Sequence, residues 1–162
     1  MKRLLLIFFV ALAVLLLGAT QKDEQPKTKK ITAIFITDGD TFLGRGDSQA
    51  YRLFGVDAPE LGQPWGNVAK SALIELIHKK RLTATVISES YGREVVEVKH
   101  GDKDIGLELI KMGLAWHAPK YAPDRQDYAE AQTEAKTAKR GLWGDDKPIS
   151  PEDWRKQKKE SK

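Results

Sequence analysis

The chain has 162 residues, no cysteine and a formal net charge of +4 at pH 7. This length allows one ordinary domain with a real hydrophobic core and leaves no room for two full domains. Without thiols the chain can form neither a disulfide framework nor a zinc–thiolate site, and it lacks a lipoprotein attachment cysteine, so stability must come from packing.

The positive charge is concentrated at the two ends of the chain. Without Lys2 and Arg3 there are 25 basic and 23 acidic residues, and residues 147–162 hold six basic and three acidic ones. Residues 20–146 then carry 19 basic against 20 acidic residues and are close to neutral. The basic composition is therefore weak support for nucleic-acid binding, and any such function must rest on local geometry.

The first 19 residues are typical of a targeting segment. A positive start is followed by uniformly apolar residues 4–17 and by the small residues Gly18 and Ala19. The apolar stretch is shorter than the roughly 20 residues of a spanning helix, which favours a cleaved signal over the alternative, an uncleaved N-terminal anchor. Both alternatives predict export, to the medium, the periplasm or the cell envelope. Residues 20–30 are polar and are predicted to be a flexible linker.

The domain is predicted to span residues 31–145 and to begin with a hairpin. Residues 31–36, 41–43 and 50–56 are rich in strand formers, and residues 44–48 form a turn cluster. Because the turn centre lies near residue 46, residues 38–40 should return opposite residues 54–57. This register predicts that Asp40 and Asp57 lie at the same end of the hairpin and can share a metal ion.

The remaining elements predict an α+β fold. Residues 67–80 have the apolar spacing of a helix face, residues 82–88 and 94–99 alternate as a second hairpin, and helices are predicted over 104–112 and 127–140, ending at Gly113 and Gly141. We expect a five-stranded antiparallel β-barrel of the OB type with three α-helices. Residues 146–162 are predicted to be a basic tail that packs partly and then frays.

Three short motifs contain most of the chemically interesting side chains. Each alone has an ordinary interpretation: DGDT at 38–41 as a turn, DAPE at 57–60 as a strand end, and the arginines at 52 and 93 as solvated side chains. Together they place several carboxylates and two guanidinium groups around what we expect to be one site. That combination suits phosphodiester chemistry.

The strings DGDT, RLFGVDAPE, YGR and GLAW, in this order and at these separations, resemble the staphylococcal nuclease (thermonuclease) family over residues 31–143. The resemblance implies an OB-fold barrel, calcium dependence and cleavage of DNA and RNA to 3′-phosphate products. It implies the following site residues: Asp40, Asp57 and the carbonyl of Ala58 for the metal, Arg52, Glu60 and Arg93 for catalysis, and Tyr91 and Tyr121 as candidates to line a nucleotide pocket. Ala58 replaces the threonine of familiar members, but a backbone carbonyl can bind a cation whatever its side chain.

The chemistry of these residues agrees with that expectation. Two carboxylates and a carbonyl leave positions for water and phosphate, and such open sites bind calcium weakly, at roughly 10⁻⁴ to 10⁻³ M in extracellular modules. Glu60 is expected to act as general base or to position the water, two roles that the residues do not distinguish. Asp38 is a further carboxylate beside the expected metal. His78, His100 and His117 have no metal-ligand spacing, which favours structural roles.

The sequence therefore predicts an exported nuclease that acts on single-stranded DNA, RNA and frayed duplex DNA, works as a monomer and has no stable protein partner. Two other interpretations stay open. One is a noncatalytic module on the same barrel that binds nucleic acid or protein, since OB-type barrels often only bind. The other is an anchored envelope protein with an interaction role, suggested by the N-terminal segment and the basic tail.

Overall fold

The structure, a computed structural model, describes residues 26–161. The predicted targeting segment 1–19 lies outside the described residues. Within these residues there are eight strands: β1 Thr28–Ile36, β2 Thr41–Gly44, β3 Ala50–Leu53, β4 Val56–Asp57, β5 Arg81–Ser90, β6 Arg93–His100, β7 Lys103–Asp104 and β8 Trp116–His117. The same part of the chain contains four α-helices, α1 Gly66–Ile77, α2 Ile105–Lys111, α3 Gln126–Thr137 and α4 Pro151–Glu160, and a 3₁₀ turn at Gly141–Gly144. None of the helices among residues 26–161 is long and apolar enough to cross a membrane.

Five strands form a closed barrel in the order β3-β2-β1-β5-β6, with β3 pairing back onto β6. Irregularities in β1 near Ala33 and in β5 near Val86 bend these strands, as a small barrel requires. The short strands β4 and β8 pair separately, Asp57 opposite Trp116. The α+β barrel predicted from the sequence is confirmed.

The prediction of an all-antiparallel barrel is wrong at one pairing, because β3 and β6 run parallel. The reason is topological. Five is an odd number, so a ring of five strands cannot alternate direction throughout, and one neighbouring pair must be parallel. Here that pair joins the two hairpins, and it aligns Ala50 with Arg93 and Arg52 with Val95.

The core lies inside the barrel and beneath helix α1. Phe42 and Tyr51 stack at 5.3 Å between ring centroids, and α1 contributes Ala69, Leu73 and Ile77, all fully buried. These three positions are four residues apart, the spacing of one helix face. Helix α1 therefore lies against the barrel and fixes the loop that precedes it.

Both ends of the domain differ from the sequence prediction. Strand β1 begins at Thr28, and Thr28 pairs with Thr85, so part of the expected linker is barrel strand. At the other end, the expected tail contains the fourth helix, α4. Ser150 caps it by accepting the Asp153 backbone N–H at 3.1 Å, and Pro151 occupies its first turn, where a missing N–H costs nothing.

Candidate functional site

Asp40 is the buried anchor of the candidate site. It precedes β2, and its backbone carbonyl accepts the Leu53 N–H at 2.9 Å, which extends the hairpin ladder by one bond. The residue is 3% exposed. Its Oδ2 accepts the Ala58 N–H at 2.9 Å, its Oδ1 accepts the Thr41 hydroxyl at 3.0 Å, and its own N–H donates to Asp38 Oδ1 at 3.1 Å. The Asp40 carboxylate is thus held by a side-chain hydroxyl of the DGDT motif and by a backbone N–H of the DAPE motif.

Gly39 explains how the two motifs come so close. A Cβ at this position would lie 2.7 Å from the Cβ of Ala58 and 2.8 Å from the Cβ of Ala69 in α1. Real side chains do not approach this closely, so a larger residue would push the 38–41 loop away from Ala58 and the helix. The glycine of DGDT therefore belongs to the geometry of the site as well as to the turn.

Arg52 joins the two aspartates that the sequence pairs. Its Nη1 lies 2.5 Å from Asp40 Oδ1 and its Nη2 lies 2.9 Å from Asp57 Oδ1. Burial raises the pKa of Asp40 to about 7, against the opposing effect of the Arg52 guanidinium. Burial also acts to lower the pKa of Arg52, but the charges of Asp40 and Asp57 outweigh it and raise that pKa. Both aspartates thus share one planar guanidinium.

Glu60 is presented by a tight turn that begins helix α1. Its N–H donates to Gln63 Oε1 at 3.0 Å, and its carbonyl accepts the Gln63 N–H at 2.9 Å. A Cβ on Gly66 would lie 2.0 Å from the Glu60 carbonyl oxygen. Only glycine lets the helix start directly against this turn, so Gly66 sets the position of the Glu60 backbone.

A third arginine, Arg155 of helix α4, contacts the same carboxylates. Its Nη1 lies 2.6 Å from Glu60 Oε1, and its Nη2 lies 2.9 Å from Asp57 Oδ2. Burial acts to lower the pKa of Arg155, and hydrogen bonds to Asp57 and Glu60 outweigh it and raise that pKa. The sequence motifs did not point to this residue. The only available signal was local: Ser150, Pro151 and Asp153 have the spacing of a helix start.

Arg93 is placed by strand pairing, without a charged partner. It aligns with Ala50 in the parallel pair, so it lies on the same sheet face as Arg52, two positions along the neighbouring strand. No hydrogen bond or ion pair to its side chain occurs within residues 26–161. The guanidinium is therefore available to a ligand.

The two tyrosines lie on exposed loops. Tyr91 is 95% exposed at the β5–β6 turn, with φ of 51°, and Tyr121 is 68% exposed. The loop of Tyr121 reaches β4 through a hydrogen bond from the Ala118 N–H to the Gly55 carbonyl at 2.9 Å. Both rings face solvent, and their nucleotide-binding role stays a prediction.

The oxygen-only donor set fits a hard cation. Asp40, Asp57 and the Ala58 backbone meet at one place, without sulfur or imidazole ligands. Within residues 26–161 no group of three or more Asp, Glu, His or Cys side chains is close enough to hold a metal ion. A cation here would thus have to complete its shell with carbonyl oxygen, water and phosphate.

The site combines carboxylates, which can bind a cation or accept a proton, with guanidinium groups, which bind phosphate oxygens in a planar fork. Asp40 and Asp57 are largely buried, whereas the Glu60 side chain is 36% exposed and accessible to water. Both kinds of group suit a phosphodiester, whose phosphorus is electrophilic and whose oxygens carry the negative charge.

Comparisons with known proteins agree with this chemistry. The family model described as Staphylococcal nuclease homologue matches residues 50–145. The chain is 38% identical over 128 residues to an uncharacterized endonuclease of Haemophilus influenzae, covering 76% of this chain and 71% of that protein. It is 32% identical over 127 residues to an uncharacterized endonuclease of Escherichia coli O157:H7, covering 76% and 82%.

A plant protein is also similar over the barrel. The staphylococcal-like nuclease CAN1 of Arabidopsis thaliana is 36% identical over 109 residues, which is 67% of this chain and 33% of the plant protein. The chain thus spans about a third of the length of that relative.

Proposed function

The chain belongs to the staphylococcal nuclease homologue family, and from this premise we propose that it is a calcium-dependent nuclease that hydrolyses DNA and RNA to products with 3′-phosphate ends. Nuclease activity is the conclusion that the family and the endonuclease relatives support. The observation that carries the proposal is the cluster in which Arg52 joins Asp40 and Asp57 beside Glu60. We call Asp40, Asp57 and Glu60 the carboxylate cluster.

Asp40, Asp57 and the Ala58 carbonyl would hold the calcium ion, which when bound supplies positive charge to a phosphate oxygen and to water. Glu60, the most exposed carboxylate of the cluster, would orient or deprotonate the attacking water. A 3′-phosphate product requires that water attack phosphorus and that the bond from phosphorus to the 5′ oxygen break. The leaving oxygen then takes up a proton and becomes a 5′-hydroxyl.

Arg52 and Arg93 would receive the negative charge that builds on the equatorial phosphate oxygens. Both lie on one face of neighbouring strands, which supports a role for both side chains at a single phosphate. This charge stabilisation would apply equally to DNA and RNA, since neither arginine needs a 2′-hydroxyl. We therefore propose cleavage of both, preferentially where strands are single or frayed.

The experiment is to incubate the purified protein with single-stranded DNA and with RNA, in calcium and in a calcium chelator. We expect cleavage only with calcium, and new 5′ ends that accept a label from polynucleotide kinase without prior phosphatase treatment. Arg93→Ala is the control for contaminating nuclease, since it should cut far more slowly. Binding without cleavage under any condition would contradict the proposal and favour a noncatalytic binding module.

We further propose that the protein is exported and works as a monomer. Support for export comes only from the composition of residues 1–19. N-terminal sequencing of the protein from the exported fraction tests it, and a start near Thr20 is the expected result. An intact Met1 in the membrane fraction would indicate an uncleaved anchor.

A further inference from the structure

Helix α4 brings a positive charge from outside the barrel to the carboxylate cluster. Besides the contacts to Glu60 Oε1 at 2.6 Å and Asp57 Oδ2 at 2.9 Å, Arg155 Nη1 lies 3.3 Å from Asp57 Oδ1. The fork therefore spans both oxygens of Asp57 and one of Glu60. The proposed nuclease mechanism gives this residue no role.

The helix is positioned by contacts that do not involve Arg155. Gln63, which holds the Glu60 turn, donates from Nε2 to the Ile149 carbonyl at 2.7 Å, and Trp65 Nε1 donates to Asp145 Oδ2 at 2.8 Å. Pro151 at the helix start is buried. The same turn that presents Glu60 thus anchors the start of α4, and Arg155 extends from a fixed base.

The contact of Arg155 with Asp57 and Glu60 occupies carboxylate oxygens that a cation and an attacking water would need. Every carboxylate oxygen of Asp40 and Asp57 already has a partner: Arg52, Thr41 and the Ala58 N–H on Asp40, and Arg52 and Arg155 on Asp57. Arg52 is largely buried between two aspartates, but the Arg155 side chain is 44% exposed. Of the two guanidinium groups, Arg155 is the one that can leave at low cost.

We propose that Arg155 is a built-in counter-ion of Asp57 and Glu60, which leaves them when calcium binds and thereby sets the calcium affinity of the site. This inference rests on the proposed function, because it assumes that the cation binds at Asp57. Arg155 contacts both oxygens of Asp57, so a calcium ion that binds Asp57 must take the place of this guanidinium on at least one of them, and the repulsion between the two positive charges favours its departure. The helix stays in place on its other contacts, and only the side chain swings away.

Arg155 therefore has two effects. It neutralises the carboxylate cluster when no calcium is bound, and it weakens calcium binding by the free energy of its own ion pairs. Because such partly exposed pairs are weak, the effect is a shift in affinity and not a block. Glu60 Oε1 is released at the same time, so the Glu60 carboxylate is free of its ion pair only when the cation is present.

The test is calcium binding measured directly by isothermal titration calorimetry, without nucleic acid, on the purified full chain. Arg155→Ala should bind calcium about five- to thirtyfold more tightly than the unmodified protein, the upper end of what one or two partly exposed ion pairs contribute. Arg155→Met, which keeps most of the length of the side chain, should show the same rise in calcium affinity. This variant replaces Arg155→Ala in the test if the alanine substitution unfolds helix α4.

Lys156→Ala is the matched control. It removes one positive charge from the same helix, but Lys156 pairs with Glu152 at 2.9 Å and does not touch the carboxylate cluster. Its calcium affinity should stay within about twofold of the unmodified protein, since exposed pairs of this kind contribute little. An equal rise in Lys156→Ala would mean that general charge is responsible and would overturn the role of Arg155.

Two further results separate this inference from the proposed function. Equal calcium affinity in Arg155→Ala and the unmodified protein, with binding lost in Asp57→Asn, would overturn the inference and leave the calcium site standing. Absence of calcium binding in every variant would overturn both.

Discussion

Arg52 and Arg93, the two arginines expected to contact phosphate, differ in how many partners their side chains have within the described residues. Arg52 lies between Asp40 and Asp57, and its side chain is 23% exposed. Arg93 has no charged partner among the described residues and begins a strand at the barrel rim. Replacing Arg52 should therefore affect both the stability of the fold and catalysis, whereas replacing Arg93 should affect catalysis alone.

Replacing Arg93 by alanine should reduce kcat by about 10² to 10³, the loss typical of one missing donor to a developing oxyanion. Arg93→Lys should fail nearly as badly, because lysine offers a point charge where a planar fork is needed. Steady-state cleavage rates at saturating calcium measure this, and the urea midpoint should not move. Near-normal turnover in the lysine variant would contradict the bidentate role.

Replacing Arg52 by methionine should destabilise the protein, by up to about 3 to 5 kcal/mol, because it leaves the buried Asp40 carboxylate without its cation. Adding Asp40→Asn should recover part of that loss, since the neutral amide can still accept the Ala58 N–H. Urea unfolding without calcium measures both variants. A double variant no more stable than the single one would show that the ion pair is not the cause.

At the scale of elements, the site depends on how closely the Glu60 turn, helix α1 and helix α4 approach one another. Gln63 bonds to the Glu60 turn on one side and to the Ile149 carbonyl on the other. Gly66 starts α1 against the same turn. The position of Glu60 is therefore set by three elements that meet at Gln63.

Gly66→Ala should lower both stability and activity. The new Cβ would lie 2.0 Å from the Glu60 carbonyl oxygen, so the turn must move, at about 1 to 3 kcal/mol for overpacking of this kind. Urea unfolding and cleavage rates measure the two losses. Gly144→Ala is the control, because its Cβ would meet only the Lys139 carbonyl at 3.4 Å. Equal behaviour of the two variants would refute the close approach.

At the scale of the whole molecule, the near-neutral charge of residues 20–146 limits how nucleic acid can be attracted. Binding should depend on a few local contacts and not on a broad basic surface. The basic residues near the end of helix α4, such as Lys158 and Lys159, belong to the exposed part of that helix. They raise the isoelectric point of the chain.

The affinity for single-stranded DNA should therefore depend only weakly on salt. Two arginine–phosphate contacts predict a slope of log K against log salt of about −1.4. Fluorescence anisotropy of a labelled oligonucleotide with a Glu60→Ala variant in calcium, across a series of KCl concentrations, measures it. Lys158→Ala with Lys159→Ala should leave the slope unchanged. A slope of about −3 or steeper would contradict the prediction and would indicate further basic residues in contact with phosphate.

The sequence could predict those features of the fold and the site that depend on neighbouring residues or on a recognisable motif. The first hairpin has a clear turn, so the sequence could place Asp40 and Asp57 at the same end of it. The expected register of 38–40 opposite 54–57 is wrong, because Thr41 pairs with Arg52, and Asp57 lies beyond the hairpin in β4. The parallel pairing of β3 with β6 could not be predicted, because nothing within either hairpin indicates how the two hairpins meet. Arg155 is 95 positions from Glu60, on a helix whose start is buried only at Pro151 and which lacks a strong apolar face. Its contact arises from the docking of the helix.

The parallel pairing of β3 with β6 also has a consequence for the order of events in folding. It joins Ala50 to Arg93, 43 positions apart, so its loop-closure entropy must be overcome before any contact in it forms. The carboxylates of the first hairpin can meet early, through a short local turn. Arg52 and Arg93 share a face only after the barrel has closed, so a partly folded chain holds the acidic half of the site without the pair of arginines. The ability to stabilise a phosphate with both arginines thus appears only when the barrel closes.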